Sequence, residues 1–579
     1  MAPVWRVADL IPADVSAQFP ELHPVILQLL WNKGLRTTQE MDVFLHPDWN
    51  RDTFAPSLFT QMPAAVARIF AALERREIIA VHGDYDADGV CGSAVLISTL
   101  RELCRLLGFN ETAIIFYLPH REKEGYGFAV PTMEFLARER KAKLIITVDC
   151  GISNKPAIDR GKELGVDTIV CDHHALPVVL PMEAIILHPL IPGETYPNKG
   201  LCGTGVAFKL ASALIEEARG RGAALPEGQE KWLLDLVAIA TVTDVMPLIG
   251  ENRALETYGL LVLNKKRRLG IRKLMEAIGT MSSQSIDTTT VGFQIGPRLN
   301  AAGRMDHANA ALALLLAEEN AQAIACATKL QQTNTERQQA SDTMFQQALA
   351  LVGDPGERKL IIACGEGWPA GLVGLIASKL VGEYRRPVLV VGHMDGHYVG
   401  SGRSVPGFDV TETVRAGAEH LDKFGGHPQA CGFSVRGADR FARAAARMSA
   451  YAETHLAADQ FMSALAIEAE LLLEEVDWDL QAALARCEPF GEGNRRPVFA
   501  SRGLLVTSID TVGGGKHLRL TVRSPRGTCA KTIGFRLGAW ASKLKCGDRV
   551  DIAYEVGMNE WKGRKELQWK IVDLNHSSL

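Results

Sequence analysis

The stretch EIIAVHGDYDADG, residues 77–89, joins an apolar run to an acidic loop that opens a helix-like segment. The run EIIAVH is almost uniformly apolar, as expected for a strand buried on both faces of a parallel sheet. Asp84, Asp86 and Asp88 follow at alternate positions, with Gly89 next. Ligands of open parallel sheets gather at the carboxyl ends of the strands. The stretch therefore predicts an α/β domain with a ligand-binding loop.

Further apolar runs follow, separated by segments with apolar residues at helical spacing, such as Val90–Leu107. These runs are AIIFYL (113–118), KLIITVD (143–149), DTIVCD (167–172) and AIILH (184–188). The alternation is a βαβ pattern and predicts a mostly parallel sheet. A second α/β unit is predicted further along the chain, with KLIIACG (359–365) and RPVLVVG (386–392) as strands.

The remaining segments complete a multi-domain chain, which 579 residues make necessary. Arg304–Val352 contains neither Gly nor Pro, which predicts a long helical connector. Residues 500–575 show short strand patterns with turn signals, which predict a small antiparallel barrel. We expect an N-terminal extension (1–70), a first α/β domain (71–305), a connector (306–354), a second α/β domain (355–460) and a barrel domain (461–579).

The composition limits the classes of protein to which the chain can belong. Hydrophobic residues make up 47% and charged residues 22%, values typical of globular domains. No apolar run approaches the roughly 18 residues of a membrane helix, and the N-terminus lacks a secretion signal. The eleven cysteines include no CxxC pair, so a structural zinc site is not expected. We therefore expect a cytoplasmic protein.

Metal-binding residue types follow several of the apolar runs. Asp149 ends the run KLIITVD. At the end of the next run lie Asp172, His173 and His174, and Asp244 follows the apolar stretch LVAIATVT. Each alone is explained as a helix cap or a structural histidine, but their coincidence at successive strand ends favours a metal site. Carboxylates mixed with imidazole suit Mn²⁺ and tolerate Mg²⁺. So many ligands indicate two ions, which together can clamp a phosphoryl displacement.

These residues resemble the Asp-His-His (DHH) phosphoesterase superfamily, whose name motif is the DHH at 172–174, and most closely its bacterial RecJ family. The RecJ-like stretches beyond the metal motifs are PHREKEGYG (119–127), LCGTGVAFKL (201–210), FQIGPRLNAAGRM (293–305), GWPAGLVGLIASKL (367–380), GSGRS (400–404), FGGHPQACGFS (424–434) and PFGEGNRRPVF (489–499). The resemblance implies a parallel-sheet DHH domain, a long helix, a smaller α/β DHHA1 domain and a C-terminal OB-type barrel.

The resemblance also implies the catalytic residues. The implied metal ligands are Asp84, Asp86, Asp88, Asp149, His173 and Asp244. Asp149 would bridge two divalent ions, Mn²⁺ or Mg²⁺, and His174 would lie beside them. His82 matches a ligand position of other branches, which leaves the choice between His82 and Asp84 open. The implied reaction is 5′-to-3′ hydrolysis of single-stranded DNA to 5′-mononucleotides, in DNA repair and recombination.

Substrate contacts are implied in the same way. Arg121, Ser401 and Arg403 would hold the 5′-terminal phosphate, because guanidinium groups bind phosphate oxygens in pairs. The other implied contacts are Arg298, Asn300, Arg304, His427 and Trp561. For His427 a core histidine is the alternative interpretation.

The barrel supplies an independent signal from composition. Residues 515–570 contain thirteen Lys or Arg against five Asp or Glu, although the net charge of the chain is −4. Tyr554, Trp561 and Trp569 lie among these charges, and basic residues with exposed aromatics bind single strands. At least one of the three is expected in the barrel core.

Two other functions remain as alternatives. The metal motifs alone would also suit a phosphoesterase for dinucleotides or another small substrate, although such an enzyme needs no basic barrel. A non-catalytic DNA-binding scaffold is the other alternative, but it should have lost ligands. The resemblance implies a helicase and a single-strand-binding protein as partners, and a monomer is expected. The residues leave open which metal is used and whether RNA is tolerated.

Overall fold

The computed structural model describes residues 3–279, 285–456, 464–561 and 564–577. Its strands are β1 (Val4–Val7), β2 (Ile78–Gly83), β3 (Ile114–Tyr117), β4 (Ala142–Val148), β5 (Asp167–Cys171), β6 (Ile185–Leu187), β7 (Ile361–Glu366), β8 (Val388–Met394), β9 (His397–Arg403), β10 (Lys423–His427), β11 (Ala430–Arg436), β12 (Ala464–Ile467), β13 (Ala469–Glu470), β14 (Phe499–Val512), β15 (His517–Arg523), β16 (Cys529–Gly534), β17 (Arg549–Trp561) and β18 (Arg564–His576).

The helices lie between these strands. They are α1 (Ala13–Ser16), α2 (Pro24–Asn32), α3 (Thr38–Leu45), α4 (Trp49–Asp52), α5 (Met62–Glu74), α6 (Ala87–Leu107), α7 (Arg121–Glu124), α8 (Val130–Arg138), α9 (Lys155–Glu163), α10 (Gly203–Gly220), α11 (Leu234–Thr243), α12 (Gly250–Asn264), α13 (Leu269–Ile278), α14 (Thr288–Thr290), α15 (Gly296–Met305), α16 (Asn309–Leu315), α17 (Asn320–Val352), α18 (Ala370–Tyr384), α19 (Val410–Arg415), α20 (Ala438–His455) and α21 (Trp478–Ala485). None of the described helices is both long and apolar enough to cross a bilayer.

The chain divides into two compact units. The larger one comprises Thr53–Pro247 and Glu251–Met462. Its first sheet has the order β3-β2-β4-β5-β6, and all four pairings are parallel. Helices α8 and α9 pack on one face through Met133 and Ile158, which meet Ile145 and Val170 in one apolar cluster. This confirms the predicted parallel-sheet domain, and the uniformly apolar strands are buried on both faces.

The second sheet of the larger unit has the order β10-β11-β9-β8-β7. Only β7 and β8 run parallel, and the other pairs are antiparallel. Helix α18 packs on this sheet through Leu372 and Ile376, which share a core with Val388 and Val390. The predicted smaller α/β domain is confirmed.

The connector differs from the prediction of one helix over Arg304–Val352. Helix α15 ends at Met305, α16 is a separate short helix, and only α17 is long, at 33 residues. The His307 ring accepts the N–H of Asn309 and so stabilises the turn before α16. The absence of Gly and Pro permits a helix but does not prevent such a turn from interrupting it.

The smaller unit contains the barrel and the N-terminal helices. Strands β14, β15, β16, β18 and β17 follow one another, and β17 pairs again with β14 to close the barrel. Its strands are longer than expected, with 14 residues in β14, and β16 and β18 pair in parallel. Leu27 of α2 and Met41 of α3 share one apolar core with Leu520 and Ile552 of the barrel. The expected N-terminal extension (1–70) is therefore divided, because Met1–Asp52 belong to the barrel unit and its remaining residues belong to the larger unit.

Candidate metal centre

Three neighbouring strands deliver acidic residues to one edge of the parallel sheet. Asp84, Asp149 and Asp172 are the first residues after the ends of β2, β4 and β5. Backbone hydrogen bonds between neighbouring strands continue to these residues: the N–H of Asp84 donates to the Val148 carbonyl at 3.2 Å, and the N–H of Asp149 donates to the Cys171 carbonyl at 2.9 Å. Because the strands are parallel and in register, the three side chains start from neighbouring positions.

The seven predicted catalytic residues come together at this edge. They form three groups whose ligand atoms lie within 4.8 Å of one another, namely Asp84, Asp86 and Asp149; Asp149, His173 and His174; and Asp88, His173 and Asp244. His173 Nε2 lies 3.2 Å from Asp149 Oδ1 and 3.4 Å from Asp244 Oδ2. Asp149 and His173 each belong to two groups, which is the arrangement expected of residues shared between neighbouring ions.

The charges of this cluster fit divalent cations. Burial raises the pKa of Asp84 and Asp149 well above the ordinary aspartate range, and neighbouring aspartates raise it further. The same causes raise the pKa of Asp244 to about 9. Asp84 Oδ1 is buried and has no hydrogen-bond partner among the described residues. Carboxylate oxygens left unpaired beside imidazoles are suitable ligands for Mn²⁺ or Mg²⁺.

The structure also distinguishes between Asp84 and His82. His82 is fully buried, and its Nδ1 lies 3.5 Å from the Sγ of Cys150. Burial lowers the pKa of His82 to about 4, so the ring is neutral near pH 7. His82 belongs to none of the three ligand groups found among the described residues, whereas Asp84 does. The geometry favours Asp84 as the ligand.

Asp172 orients the two histidines that follow it, a role that the sequence did not reveal. Its Oδ1 accepts the N–H of His173 at 2.7 Å and the Nδ1 of His174 at 2.8 Å, and its Oδ2 accepts the N–H of Ile152 at 3.0 Å. Burial opposes protonation of His174, but the hydrogen bond and charge of Asp172 outweigh it and raise its pKa to about 9. Asp172 thus fixes the imidazole of His174 and the backbone of His173 beside Asp149.

Tyr126 is a second residue that the sequence analysis missed. Its hydroxyl donates to the backbone oxygen of Asp149 at 3.2 Å and lies 3.1 Å from the His174 ring nitrogens. It lies within the quoted stretch PHREKEGYG. A tyrosine at a loop end carries no signal of its own, so only the fold reveals this contact.

Asp244 reaches the cluster from a helix. The apolar stretch before it is predicted as a strand, and this prediction is wrong because Leu234–Thr243 forms α11. Eight consecutive residues of α11 are buried, Leu234–Thr241. A helix buried on all sides and a buried strand show the same uniform pattern, so periodicity cannot separate them.

Asp149 has an unusual backbone conformation and lies close against the start of α10. Its φ is 60°, in the left-handed region that non-glycine residues rarely adopt. Gly203, the first residue of α10, lies so near that a Cβ there would be 2.7 Å from the Asp149 Cβ. The N–H groups of Gly203 and Thr204 donate to the two oxygens of Asp88, each at 2.7 Å. The start of α10 therefore positions both aspartates.

Replacing Gly203 with Ala should displace Asp149. We expect an unfolding free energy lower by about 1–3 kcal/mol and Mn²⁺ binding weaker by about 10–100-fold. Thermal melting and calorimetric Mn²⁺ titration measure the two effects. Gly220→Ala, at the other end of the same helix where a Cβ meets open space, is the matched control and should change neither strongly. Unchanged Mn²⁺ affinity in Gly203→Ala would contradict the assigned role.

The predicted phosphate contacts of the second sheet lie close to one another. Arg403 donates from Nη1 to Ser401 Oγ at 3.0 Å, and both project from β9. A Cβ on Gly374 of α18 would be 3.0 Å from Arg403 Nη2, so this glycine leaves room for the guanidinium. Burial lowers the pKa of Arg403, and the charge of Arg121 lowers it further. The two arginines predicted to share a phosphate are therefore electrostatic neighbours.

The remaining predicted contacts have different surroundings. Asn300 Oδ1 accepts the N–H of Ala87 at 2.7 Å and so supports the start of α6. Arg304 donates to the Gly371 carbonyl at 3.3 Å, and Arg298 donates to Gln331 at 2.8 Å. His427 is exposed at the end of β10, so the core-histidine alternative is wrong.

The barrel aromatics are mostly structural. Tyr554 is fully buried and lies 3.0 Å from the hydroxyl of Ser501, and Trp569 is buried as well. The backbone of Trp561 ends β17, but its side chain lies outside the described residues. Phe535, which the sequence analysis did not single out, is 57% exposed.

Comparison with known domain families identifies the class of protein. Residues 78–241 match the DHH family N-terminal domain, and residues 357–454 match the DHHA1 domain. Residues 467–573 match the RecJ OB domain. The fold and the aspartate–histidine centre thus define a phosphoesterase of the DHH class with a DHHA1 domain and an OB barrel.

Similarity over the full length narrows the class to one family. The single-stranded-DNA-specific exonuclease RecJ of Bacillus subtilis is 35% identical over 98% of this chain and 70% of the relative. That of Escherichia coli is 30% identical over 96% of each. The crystal structure of Thermus thermophilus RecJ in complex with Mn²⁺ is 29% identical, with a TM-score of 0.83 over all of this chain and 80% of that one. This chain belongs to the RecJ family.

Proposed function

We propose that this chain is a 5′-to-3′ exonuclease that hydrolyses single-stranded DNA to 5′-mononucleotides with two divalent metal ions, in DNA repair and recombination. The observation that carries the proposal is the sharing of Asp149 and His173 between neighbouring ligand groups. The relatives are named single-stranded-DNA-specific exonucleases, and two RecJ crystal structures similar to this chain contain manganese. A non-catalytic scaffold would not need a complete ligand set.

The side chains of the centre divide into ligands and supports. The proposed ligands are Asp84, Asp86, Asp88, Asp149, His173 and Asp244. When bound, the ions would activate a water molecule and stabilise the charge that develops on the scissile phosphate. His174 lies beside the cluster, and Asp172 and Tyr126 restrain its ring. These supports hold the ligands and the substrate-facing imidazole in one geometry, which limits reorganisation during the reaction.

End recognition is proposed for Arg121, Ser401 and Arg403. Two guanidinium groups and a hydroxyl can surround a terminal phosphate, which carries more charge than an internal phosphodiester. An enzyme that fixes the terminal phosphate beside the metal centre cleaves one nucleotide at a time from that end. This arrangement supports the proposed 5′ polarity and mononucleotide product.

The function is tested with the full chain, Mn²⁺ and DNA labelled at one end. We expect mononucleotides from the 5′ end of single strands and little cleavage of the matching duplex. Release from the 3′ end would overturn the proposed polarity. DNA that is bound but intact would support a scaffold instead. Intact, unbound DNA together with cleavage of dinucleotides would support a small-substrate phosphoesterase.

The basic barrel should contribute affinity for the strand. Arg523 of β15 and Lys531 of β16 are both exposed, on adjacent strands. Replacing both with Ala should weaken binding to long single strands and make the slope of log K against log salt shallower by about 1.4, or 0.7 per lost phosphate contact. Fluorescence anisotropy at several salt concentrations measures both effects.

A matched pair of charge removals controls for net charge. Arg138 and Lys162 are exposed on α8 and α9 of the larger unit. The Arg138→Ala/Lys162→Ala variant should bind DNA like the unmodified protein. Equal losses in both double variants would contradict a specific role for the barrel. Substitution is preferable to truncation, because the barrel shares its core with the N-terminal helices.

The cellular setting follows from the same proposal. We place the enzyme in the cytoplasm as a monomer, acting with a helicase and a single-strand-binding protein. A helicase would supply the single strands that the active centre requires. Sedimentation of the purified chain would test the monomer, and co-purification with either protein would test the partners.

A further inference from the structure

The connecting helix α17 carries a polar stripe towards the arginines of α15. Gln331, Asn334 and Arg337 are spaced three residues apart, so they lie close to one face of the helix. Gln331 accepts from Arg298 of α15 at 2.8 Å, and Asn334 accepts the Nε of Arg337 at 3.2 Å. The helix therefore presents functional groups at its contact with α15 and is more than a spacer.

Five arginines converge around this contact. They are Arg121 of α7, Arg298 and Arg304 of α15, Arg337 of α17 and Arg403 of β9. Among the described side chains none of them lies within ion-pair distance of a carboxylate. Burial lowers the pKa of Arg337, and the negative charge of Asp342 opposes this shift. The carboxylate of Asp342, however, pairs with Lys379 at 2.8 Å. Cations gathered without anionic partners indicate a site for an anionic ligand.

The packing of α18 shows how the arginines are brought together. A Cβ on Gly371 would be 2.5 Å from the Arg304 backbone oxygen, and one on Gly374 would be 3.0 Å from Arg403. The first turn of α18 thus lies against Arg304 and Arg403. Burial and the charges of Arg121, Arg337 and Arg403 lower the pKa of Arg304 to about 10. Burial lowers the pKa of Arg298 and the charge of Arg337 lowers it further, so Arg337 is an electrostatic neighbour of both α15 arginines.

Asn334 holds Arg337 in this position. It is 1% exposed, and its Nδ2 has no hydrogen-bond partner among the described residues. A buried amide whose oxygen accepts a hydrogen bond from one guanidinium restricts the conformations of that long arginine side chain. An arginine held in place loses less entropy when it binds a phosphate.

We propose that Arg337, oriented by Asn334, is a phosphate-binding residue for an internal phosphodiester of the DNA strand, next to the nucleotide being removed. The proposal rests on the proposed exonuclease function. It gives the connecting helix a direct part in binding the substrate, beside the DHH and DHHA1 domains. Arg337 touches no residue of the metal ligand set, so its contribution is to strand affinity and not to the chemical step.

The test compares Arg337→Gln, Arg337→Lys and Lys329→Gln in the full chain. Lys329 lies on the same helix, is exposed and pairs with Asp306, so its removal is a matched loss of one charge. Binding of a single-stranded 20-mer is measured by anisotropy in EDTA at several salt concentrations. Turnover with Mn²⁺ is measured at limiting and saturating DNA.

We expect Arg337→Gln to bind about 5- to 10-fold more weakly at low salt, with a slope shallower by about 0.7. KM should rise while kcat at saturating DNA stays within about twofold, and Arg337→Lys should restore the slope. Lys329→Gln should match the unmodified protein. An unchanged slope in Arg337→Gln, or equal losses in Lys329→Gln, would overturn this subsite. Failure of the unmodified protein to bind or cleave single-stranded DNA would instead overturn the proposed function.

Discussion

Replacing Asp149 with Ala should abolish DNA hydrolysis while single-strand binding persists. Asp149 belongs to two of the three ligand groups, so its loss removes an oxygen from both. Ligand loss on this scale costs several kcal/mol of transition-state stabilisation, which corresponds to a rate at least about 1,000-fold lower. The proposed strand contacts lie on other side chains, so binding in EDTA should be almost unchanged. Mononucleotide release and anisotropy measure the two quantities.

The control is a carboxylate at the opposite edge of the same sheet. Asp167 begins β5, far from the ligand groups, and pairs with Arg68 on the surface. Asp167→Ala should retain hydrolysis close to that of the unmodified protein. Hydrolysis at the unmodified rate in Asp149→Ala would refute the shared-ligand assignment. Parallel loss of binding and hydrolysis, with a lowered melting temperature, would indicate that Asp149 is needed for folding instead.

The parallel sheet was predictable because its strands carry their signal locally. All five strands of the first sheet are found within one or two residues of their predicted apolar runs. A parallel sheet also fixes where the functional residues meet, since every strand ends at the same edge. The aspartates after β2, β4 and β5 could therefore be assigned to one site before any distance was known.

What the sequence could not reveal depends on contacts between distant segments. The role of Asp172 and Tyr126 arises only when the loops meet, and that of Gly203 arises from the approach of α10 to Asp149. The barrel shows the same limit. Alternation along β17 turns Tyr554 inwards, and only the closed barrel decides which aromatic faces the core.

Removing the metal ions should make the protein less stable as pH rises. The folded-state pKa values of Asp84, Asp149 and Asp244 are raised, and that of Asp244 is about 9. In the unfolded chain aspartates titrate near 3.9. Between about pH 4 and 9 the metal-free folded state therefore binds more protons than the unfolded state, and its stability falls with increasing pH.

Bound metal reverses this trend, because the ligands bind in their deprotonated forms and affinity rises with pH. Between pH 5.5 and 8.5 the melting temperature in EDTA should fall by about 5 °C or more. The difference between the melting temperatures in Mg²⁺ and in EDTA should increase over the same range. Asp244→Asn lacks one titrating group, so its midpoint in EDTA should fall less than that of Asp167→Asn. Equal slopes in the two variants would mean that Asp244 is not protonated in the metal-free protein. The carboxylates of the ligand set would then already be charged in the metal-free protein. Such a charge state requires a polar, well-hydrated centre, in contrast to the buried centre described above.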